Sequence, residues 1–243
     1  MRGRGNNTFT YNGKSSELFG LHIDTPSTAS APKLIYETVN IPFRSHAIID
    51  SSNCYENVDV KYKTWMRVPN EYDRGRVTRG LKNWLMATPE KYKILYDSYD
   101  GDFCRLATYV DGLNIDVAVN DVLESELSFS ADPYLYKMSS LEYRPCRNGE
   151  ILSNPFDFAA RPKIKMLASG DPSFSLGDAT WKLWDVKNKA EIDCETMVVL
   201  QDEQEATVID RELKDFFLPK GNTKITWDST ISKMWIAPCW RCL

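Results

Sequence analysis

The chain has 243 residues, 42% of them hydrophobic and 26% charged, with 30 basic residues against 34 acidic ones. That length allows two modest domains or one large β sandwich, and the mixed charge, with no basic stripe, argues against nucleic acid as the main partner. No run of 18 apolar residues occurs, so no membrane-spanning helix and no membrane insertion are expected. The polar opening MRGRGNNTFTYNGK is read as a tail without a signal peptide, and its RGRG as too short for an Arg-Gly RNA-binding segment. The six cysteines, Cys54, Cys104, Cys146, Cys194, Cys239 and Cys242, are read as reduced core residues of a protein made in the cytoplasm, with disulfides as the alternative.

Structure is expected from Phe9-Thr10-Tyr11, with a turn at Asn12-Gly13 and a second strand around Phe19–Ile23. Residues 24–32, DTPSTASAP, read as a loop. Strand patterns follow at Leu34–Ile41 and Ala47–Asp50. The cleanest alternation runs through Val58, Val60, Tyr62, Thr64 and Met66, with Asp59, Lys61 and Lys63 between them, which marks a long antiparallel strand with one solvated face. Val77, Leu81, Trp84 and Leu85 then fall on one face at 3.6 residues per turn. Leu81, Trp84 and Leu85 are the candidate packing residues of this helix. Asn70 or Asp73 is expected to cap it and Pro89 to end it. Gly75 and Gly80 each cost about 1 kcal/mol relative to Ala, so a short helix is expected.

Strands resume at Tyr92–Tyr96, Phe103–Val110, Ile115–Val119 and Leu123–Phe129, with turns at Asp100-Gly101, Asp111-Gly112 and Asn120-Asp121. The stretch LSFSADPYLY, residues 127–136, is a hinge. Leu127 and Phe129 alternate with serines, Pro133 halts the ladder, and Tyr134 and Tyr136 follow. Phe129, Pro133, Tyr134 and Tyr136 are the candidate residues of an interdomain seam, with domains expected at 1–133 and 134–243. Beyond it the patterns are short and strand-like: Leu141–Tyr143, Ile164–Leu167, Phe174–Leu176, Trp181–Trp184, Ala190–Cys194, Met197–Leu200, Ala206–Ile209, Lys224–Trp227 and Met234–Ile236. Such spacing points to a β sandwich, and the chain is read as mainly β with one short α-helix.

Catalytic chemistry finds little foothold. Only His22 and His46 are available for a triad, and no nucleophile-turn motif accompanies them. Cys239-Trp-Arg-Cys242 is the one C-x-x-C, but it lies in a strand context without a second ligand pair, so neither a metal nor a redox role is assigned. Asp97-Ser-Tyr-Asp100-Gly-Asp102 lacks the ligand spacing of a calcium loop and reads as a hairpin turn. Glu124/Glu126 and Asp202/Glu203/Glu205 read as solvated faces rather than glycosidase carboxylates. No Gly-rich phosphate loop occurs, so no cofactor is expected. Trp181, Trp184, Trp227 and Trp235 fit core positions or, as the alternative, a sugar-stacking platform.

The order of the motifs carries more than any one of them. FTYNGKSSELFGLHID, followed by a Pro/Ser loop and a long alternating strand, resembles the opening of siphophage distal tail proteins. RGRVTRGLKNWLMATPEKYKILYDSYDGDFCRLATYV is similar to that family's next unit, a helix ending in Trp-Leu, a strand, an Asp-rich turn and another strand. LSFSADPYLY resembles its domain junction. LSNPFDFAARPKIKM, AEIDCETMVV, LPKGNTKITW and MWIAPCWR resemble, in order, its second half. The departures are a longer polar N-terminus and an extra C-terminal cysteine.

What this resemblance implies is a non-enzymatic virion protein at the tail tip. Its N-terminal domain would form a homo-hexameric ring between the tail tube protein and the tail-associated hub protein. A galectin-like β sandwich would follow and offer an attachment point for receptor-binding or accessory baseplate proteins. The last strand, 233–243, has two courses open, staying in the sandwich or returning to the first domain. The alternative function is a carbohydrate-binding module engaging host glycans, although residues 137–243 hold no His, which the usual galectin site uses.

Overall fold

The computed structural model describes residues 7–25, 31–43, 45–87, 90–117, 121–205 and 216–243. The chain is mainly β and divides into two compact units, Met1–Leu135 with Leu243, and Tyr136–Cys242. Each has its own hydrophobic core.

The first unit contains β1 (Phe9–Tyr11), β2 (Lys14–Ser15), β3 (Leu21–Ile23), β4 (Leu34–Val39), β5 (Ile48–Tyr55), β6 (Val58–Arg67), α1 (Glu71–Leu85), β7 (Lys93–Asp97), β8 (Phe103–Tyr109), β9 (Asp116–Val117) and β10 (Val122–Ala131). Seven of these strands lie in the order β2-β1-β7-β8-β10-β6-β3, with β9 also on β10, while β4 and β5 form a separate two-stranded sheet. Asn12 (φ 51) and Gly13 (φ 72) supply the two positive φ values that a tight turn from β1 to β2 requires.

The spine is the antiparallel pair β6–β10, in register from Val58↔Ala131 to Arg67↔Val122. Its alternation sends Val60, Tyr62 and Met66 of β6 and Leu123, Leu127 and Phe129 of β10 inward. One polar pair interrupts this face. The Thr64 and Ser125 hydroxyls lie 2.8 Å apart, and Thr64 also donates to the Ser125 carbonyl at 2.9 Å, so both buried groups are satisfied.

The helix is longer than expected, at 15 residues. Asn70 caps it by accepting the Tyr72 N–H at 3.1 Å, while Asp73 lies inside the first turn and pairs with Arg76 at 3.1 Å. Leu81, Trp84 and Leu85 are all buried, and burying three large side chains, at about 1.5–3 kcal/mol each, outweighs the two glycines. The helix ends at Leu85 with Met86 as its cap; Pro89 lies outside the described residues. Before β3, residues Ser16–Phe19 form a 3-10 turn rather than the start of a strand, because the Ser15 side chain accepts the Glu17 N–H.

The second unit contains β11 (Leu135–Lys137), β12 (Arg144–Cys146), β13 (Ile151–Asn154), β14 (Lys163–Ala168), β15 (Ser173–Leu176), β16 (Ala179–Lys182), β17 (Lys189–Asp193), β18 (Val198–Gln201), β19 (Gln204–Glu205), β20 (Gly221–Trp227), β21 (Ile231–Ala237) and β22 (Arg241–Cys242), β11 starting on the last residue of the first unit. A six-stranded sheet, β12-β21-β14-β17-β18-β19, and a four-stranded sheet, β13-β20-β15-β16, make its body. Ile164, Met166, Ile192 and Met234 from the first share one core with Leu152, Phe174, Trp181 and Ile225 from the second, which defines a β sandwich.

Three expectations change here. Leu141–Tyr143 is a turn after the 3-10 helix Met138–Ser140, since the Ser140 hydroxyl donates to the Lys137 carbonyl at 2.7 Å and accepts the Trp240 N–H at 2.9 Å, competing with a ladder. β13 was not foreseen. Trp184 falls beyond β16, where the backbone turns and Leu183 donates to Pro172. Ala206–Ile209 lies outside the described residues. Of the two courses for the chain end, β21 stays in the sandwich between β12 and β14, and β22 pairs with β11.

Candidate interaction surface

The residues that call for an explanation stand on the β4–β5 hairpin. Its register pairs Thr38 with Ile49 and Val39 with Ile48. Strand alternation therefore puts Tyr36 and Ile49 on one face and Val39 and Ile48 on the other. Described residues on both faces are exposed: Tyr36 is 52% exposed, Val39 50%, Ile49 65%, and Phe43 in the connection 107%. A two-stranded hairpin is marginal alone, and among the described residues β4 and β5 pair in a sheet only with each other. Exposed apolar area of this kind marks an interaction site. At the root, Lys33 accepts the Glu56 N–H at 2.8 Å and its ammonium pairs with the Glu56 carboxylate at 3.4 Å. His46 lies in the same connection, exposed.

Sequence reading missed this site. Ile48-Ile49 and Ile41-Pro42-Phe43 carry adjacent apolar residues where alternation would bury only every second one. That signal was present, but in sequence alone it is indistinguishable from a fully buried strand.

The candidate seam residues fall in different surroundings. Phe129 is wholly buried in the first unit's core, edge-on to Phe9, Tyr11, Tyr62 and Tyr109 at 5.0 to 6.1 Å. Pro133 is buried. Beside it the Asp132 side chain accepts the Tyr134 N–H at 2.9 Å, and Arg105 donates to the Asp132 and Pro133 carbonyls at 3.4 and 3.3 Å. The half-buried Tyr134 meets Tyr55 edge-on at 6.1 Å. Tyr136 is buried and counts with the second unit. Among the helix residues, the Trp84 indole donates to the Tyr11 carbonyl at 3.0 Å and stacks on Phe19 at 4.8 Å and Phe9 at 5.5 Å.

The chemically suggestive groups have structural occupations. Asp97 accepts the N–H groups of Tyr99 and Asp100 at 3.0 and 3.3 Å and the Tyr62 hydroxyl at 3.0 Å, so it closes the β7–β8 turn. Asp202 accepts three successive backbone N–H groups, of Lys187, Asn188 and Lys189, and that of Lys189 leads in holding its carboxyl below the ordinary value. Burial pushes the Cys239 thiol up to about 11 and that of Cys146 to about 12, and raises Cys194 too. They are therefore protonated at neutral pH, not nucleophilic thiolates. Among the described residues no group of three or more His, Cys, Asp or Glu is placed to hold a metal ion.

The four tryptophans form no platform. Trp181 is fully buried beside Phe216, with ring centroids 4.0 Å apart. Trp227 pairs across Phe174 with Trp181 on the core face. Trp235 lies on the outer face of the other sheet, between Pro145 and Lys165, and Trp184 sits beyond β16 near the Lys182 ammonium.

The overall fold is shared with phage adsorption-apparatus and baseplate proteins of known structure. The chain is similar to the crystal structure of SPP1 Dit (gp 19.1), described as a paradigm of the hub adsorption apparatus in phages infecting Gram-positive bacteria. The TM-score is 0.63 at 13% identity, covering 95% of this chain and 97% of that one. Two structures of the phage p2 baseplate in its activated conformation also match, at 8% identity. The form with Sr gives a TM-score of 0.57, covering 96% of this chain and 97% of that one. The form with Ca gives 0.58, covering 95% and 96%. At these identities the likeness is one of fold. No protein-family model matches the chain, and no curated protein matches it in sequence.

Proposed function

We propose that this chain is a distal tail protein of a phage virion, without enzymatic activity. It assembles as a hexameric ring that joins the tail tube to the tail-tip hub and offers an attachment point for host-recognition proteins. The observation that carries this reading is the likeness to SPP1 Dit along nearly the whole length of both chains. The likeness spans 95% of this chain and 97% of that one, so it supports a reading of the chain as a whole.

The first domain of the proposed pair, residues 1–133, is the ring-forming part. A rotational ring needs two different surfaces on each protomer, and the uncovered β4–β5 hairpin supplies one. The sandwich, residues 134–243, is galectin-like and carries the attachment surface. Pro133, Tyr134 and Tyr136 lie where the chain passes from the first part to the second. The tail tube protein above and the hub protein below are the axial partners. The test is negative-stain electron microscopy together with light-scattering mass on the purified protein. A six-lobed particle with a central hole and six times the monomer mass is expected. A protein that stays monomeric at high concentration, both alone and with its tail neighbours, overturns the proposal.

A further inference from the structure

We infer that Arg4, in the segment that leads into the first unit, seats in a pocket of that same unit between aromatic walls and two carboxylates. This concerns a single chain and stands apart from the ring reading.

The pocket is a half-open cavity of about 250 Å³ beside the β7–β8 turn. Tyr62, Tyr96, Tyr99 and Phe103 give it aromatic walls, and Asp97 and Asp100 give it acid. Val60, Leu95, Leu135 and the small thiol of Cys104 line the rest, together with Arg105. Arg105 is tied to the Asp132 and Pro133 carbonyls at 3.4 and 3.3 Å. It stands opposite Leu95 in the ladder, two strand positions or about 7 Å from the level of Asp97. The carboxylates therefore hold the end of the pocket nearest the turn.

That end has room for a cation. Asp97 accepts the Tyr99 and Asp100 N–H groups on Oδ1 and the Tyr62 hydroxyl on Oδ2. A carboxylate has about four acceptor sites, so Oδ2 keeps one. The Asp100 carboxylate is exposed and makes no hydrogen bond or ion pair among the described residues. A guanidinium suits such a place, since it stacks on aromatic faces while its N–H fork meets carboxylate oxygens. The walls are set in advance, with Tyr62 stacked on Phe9 at 5.2 Å, and a preformed pocket loses little order on filling.

The course of the chain names the guest. Residues 1–6, Met-Arg-Gly-Arg-Gly-Asn, lie outside the described ones and lead into Asn7. Asn7 is fixed at the pocket's lip. Its amide donates to the Tyr99 hydroxyl at 2.7 Å and accepts the Ser98 hydroxyl at 3.3 Å, while the Ser98 N–H donates to the Thr8 carbonyl at 2.9 Å. Arg4 is three residues upstream, so its Cα lies within about 11 Å of that of Asn7, and its long side chain extends the reach. Gly3 and Gly5 beside it bring no side chains to the mouth. Seated there, Arg4 pins the leading segment to the β7–β8 turn, and a basic side chain of another protein reaches these acids only by displacing it.

The experiment times trypsin cleavage after Arg4 in the full chain, followed by mass spectrometry. Asp100→Asn removes a carboxylate that makes no described contact, so its thermal midpoint is expected to match wild type. Cleavage is expected to run about tenfold faster or more in Asp100→Asn. Asp102→Asn, on the same turn but outside the pocket, is expected to leave the rate within about twofold. In parallel, a photoreactive benzoyl-phenylalanine replaces Gly5 in a chain that keeps both arginines, mixed with ¹⁵N-labelled wild-type chain. Adducts to residues 96–105 within one isotopic form are expected. Equal cleavage rates in wild type and Asp100→Asn, or an equal gain from Asp102→Asn, overturn the seating. Adducts outside 96–105 overturn it as well. Adducts that join the two isotopic forms overturn the single-chain contact and give the pocket to a neighbouring copy.

Discussion

Asp193, on the outer face of the sandwich, gathers an ammonium and two backbone N–H groups around one carboxylate. Burial works to raise its carboxyl. The Lys163 ammonium at 2.8 Å and the N–H groups of Glu195 and Thr196 at 3.0 and 3.2 Å overcome that and hold it below the ordinary value. A carboxyl depressed in the folded state contributes stability that is fully present above its unfolded value, about 3.9. That contribution is lost as pH falls through the folded value. Asp193→Asn is therefore expected to lower unfolding stability at pH 7 by about 2 kcal/mol, the scale of hydrogen bonds to a charged group. The gap to wild type should close as the pH drops below about 4. Urea titrations at pH 7 and pH 3 check this; an equal deficit at both would show that Asp193 acts through packing rather than charge.

At the scale of elements, the hairpin and the β6–β10 pair are opposites. Strand β6 was legible because Val58, Val60, Tyr62, Thr64 and Met66 alternate with charged residues, and burial follows that alternation. The far strand of the hairpin was read as ending at Asp50, because Asp50-Ser51-Ser52-Asn53 looks like a turn. The structure carries it on to Tyr55 through pairing with β4, and backbone pairing leaves little trace in side-chain pattern. β13 was missed for a related reason: its inward positions are Leu152 and Asn154, and a buried Asn bonded to the Phe158 and Leu218 carbonyls at 3.0 and 3.1 Å breaks the apolar signature. The helix was underestimated because propensity counts its glycines and not what its face buries. Since no described side chain of β4 or β5 belongs to either core cluster, replacing residues 36–49 with an Asn-Gly turn is expected to change monomer stability by less than about 1 kcal/mol while abolishing self-association. Denaturant unfolding and light scattering of that variant test the point; a stability loss of several kcal/mol would assign the hairpin to the fold instead.

At the scale of the molecule, the change of pattern at residues 127–136 was visible in sequence because strand alternation stops where Pro133 enters. β10 ends at Ala131, Asp132 turns the chain onto Tyr134, and Tyr136 opens the second unit. Among the described residues each unit carries its own core cluster. Units with separate cores are expected to unfold as separate cooperative transitions. Phe129 provides the lever, because it is wholly buried and touches four aromatic rings of the first unit. Phe129→Ala should cost that unit about 3–5 kcal/mol and lower its midpoint by about 10 °C or more. The sandwich, held by Trp181, Phe174 and Phe216, should melt where it does in the wild type. Calorimetry of the full chain, with fluorescence from the five tryptophans of residues 136–243 following the second transition, separates the two. A single transition that moves as a whole would mean that the units stabilise one another, and the boundary near residue 135 would then be one of topology and not of energy.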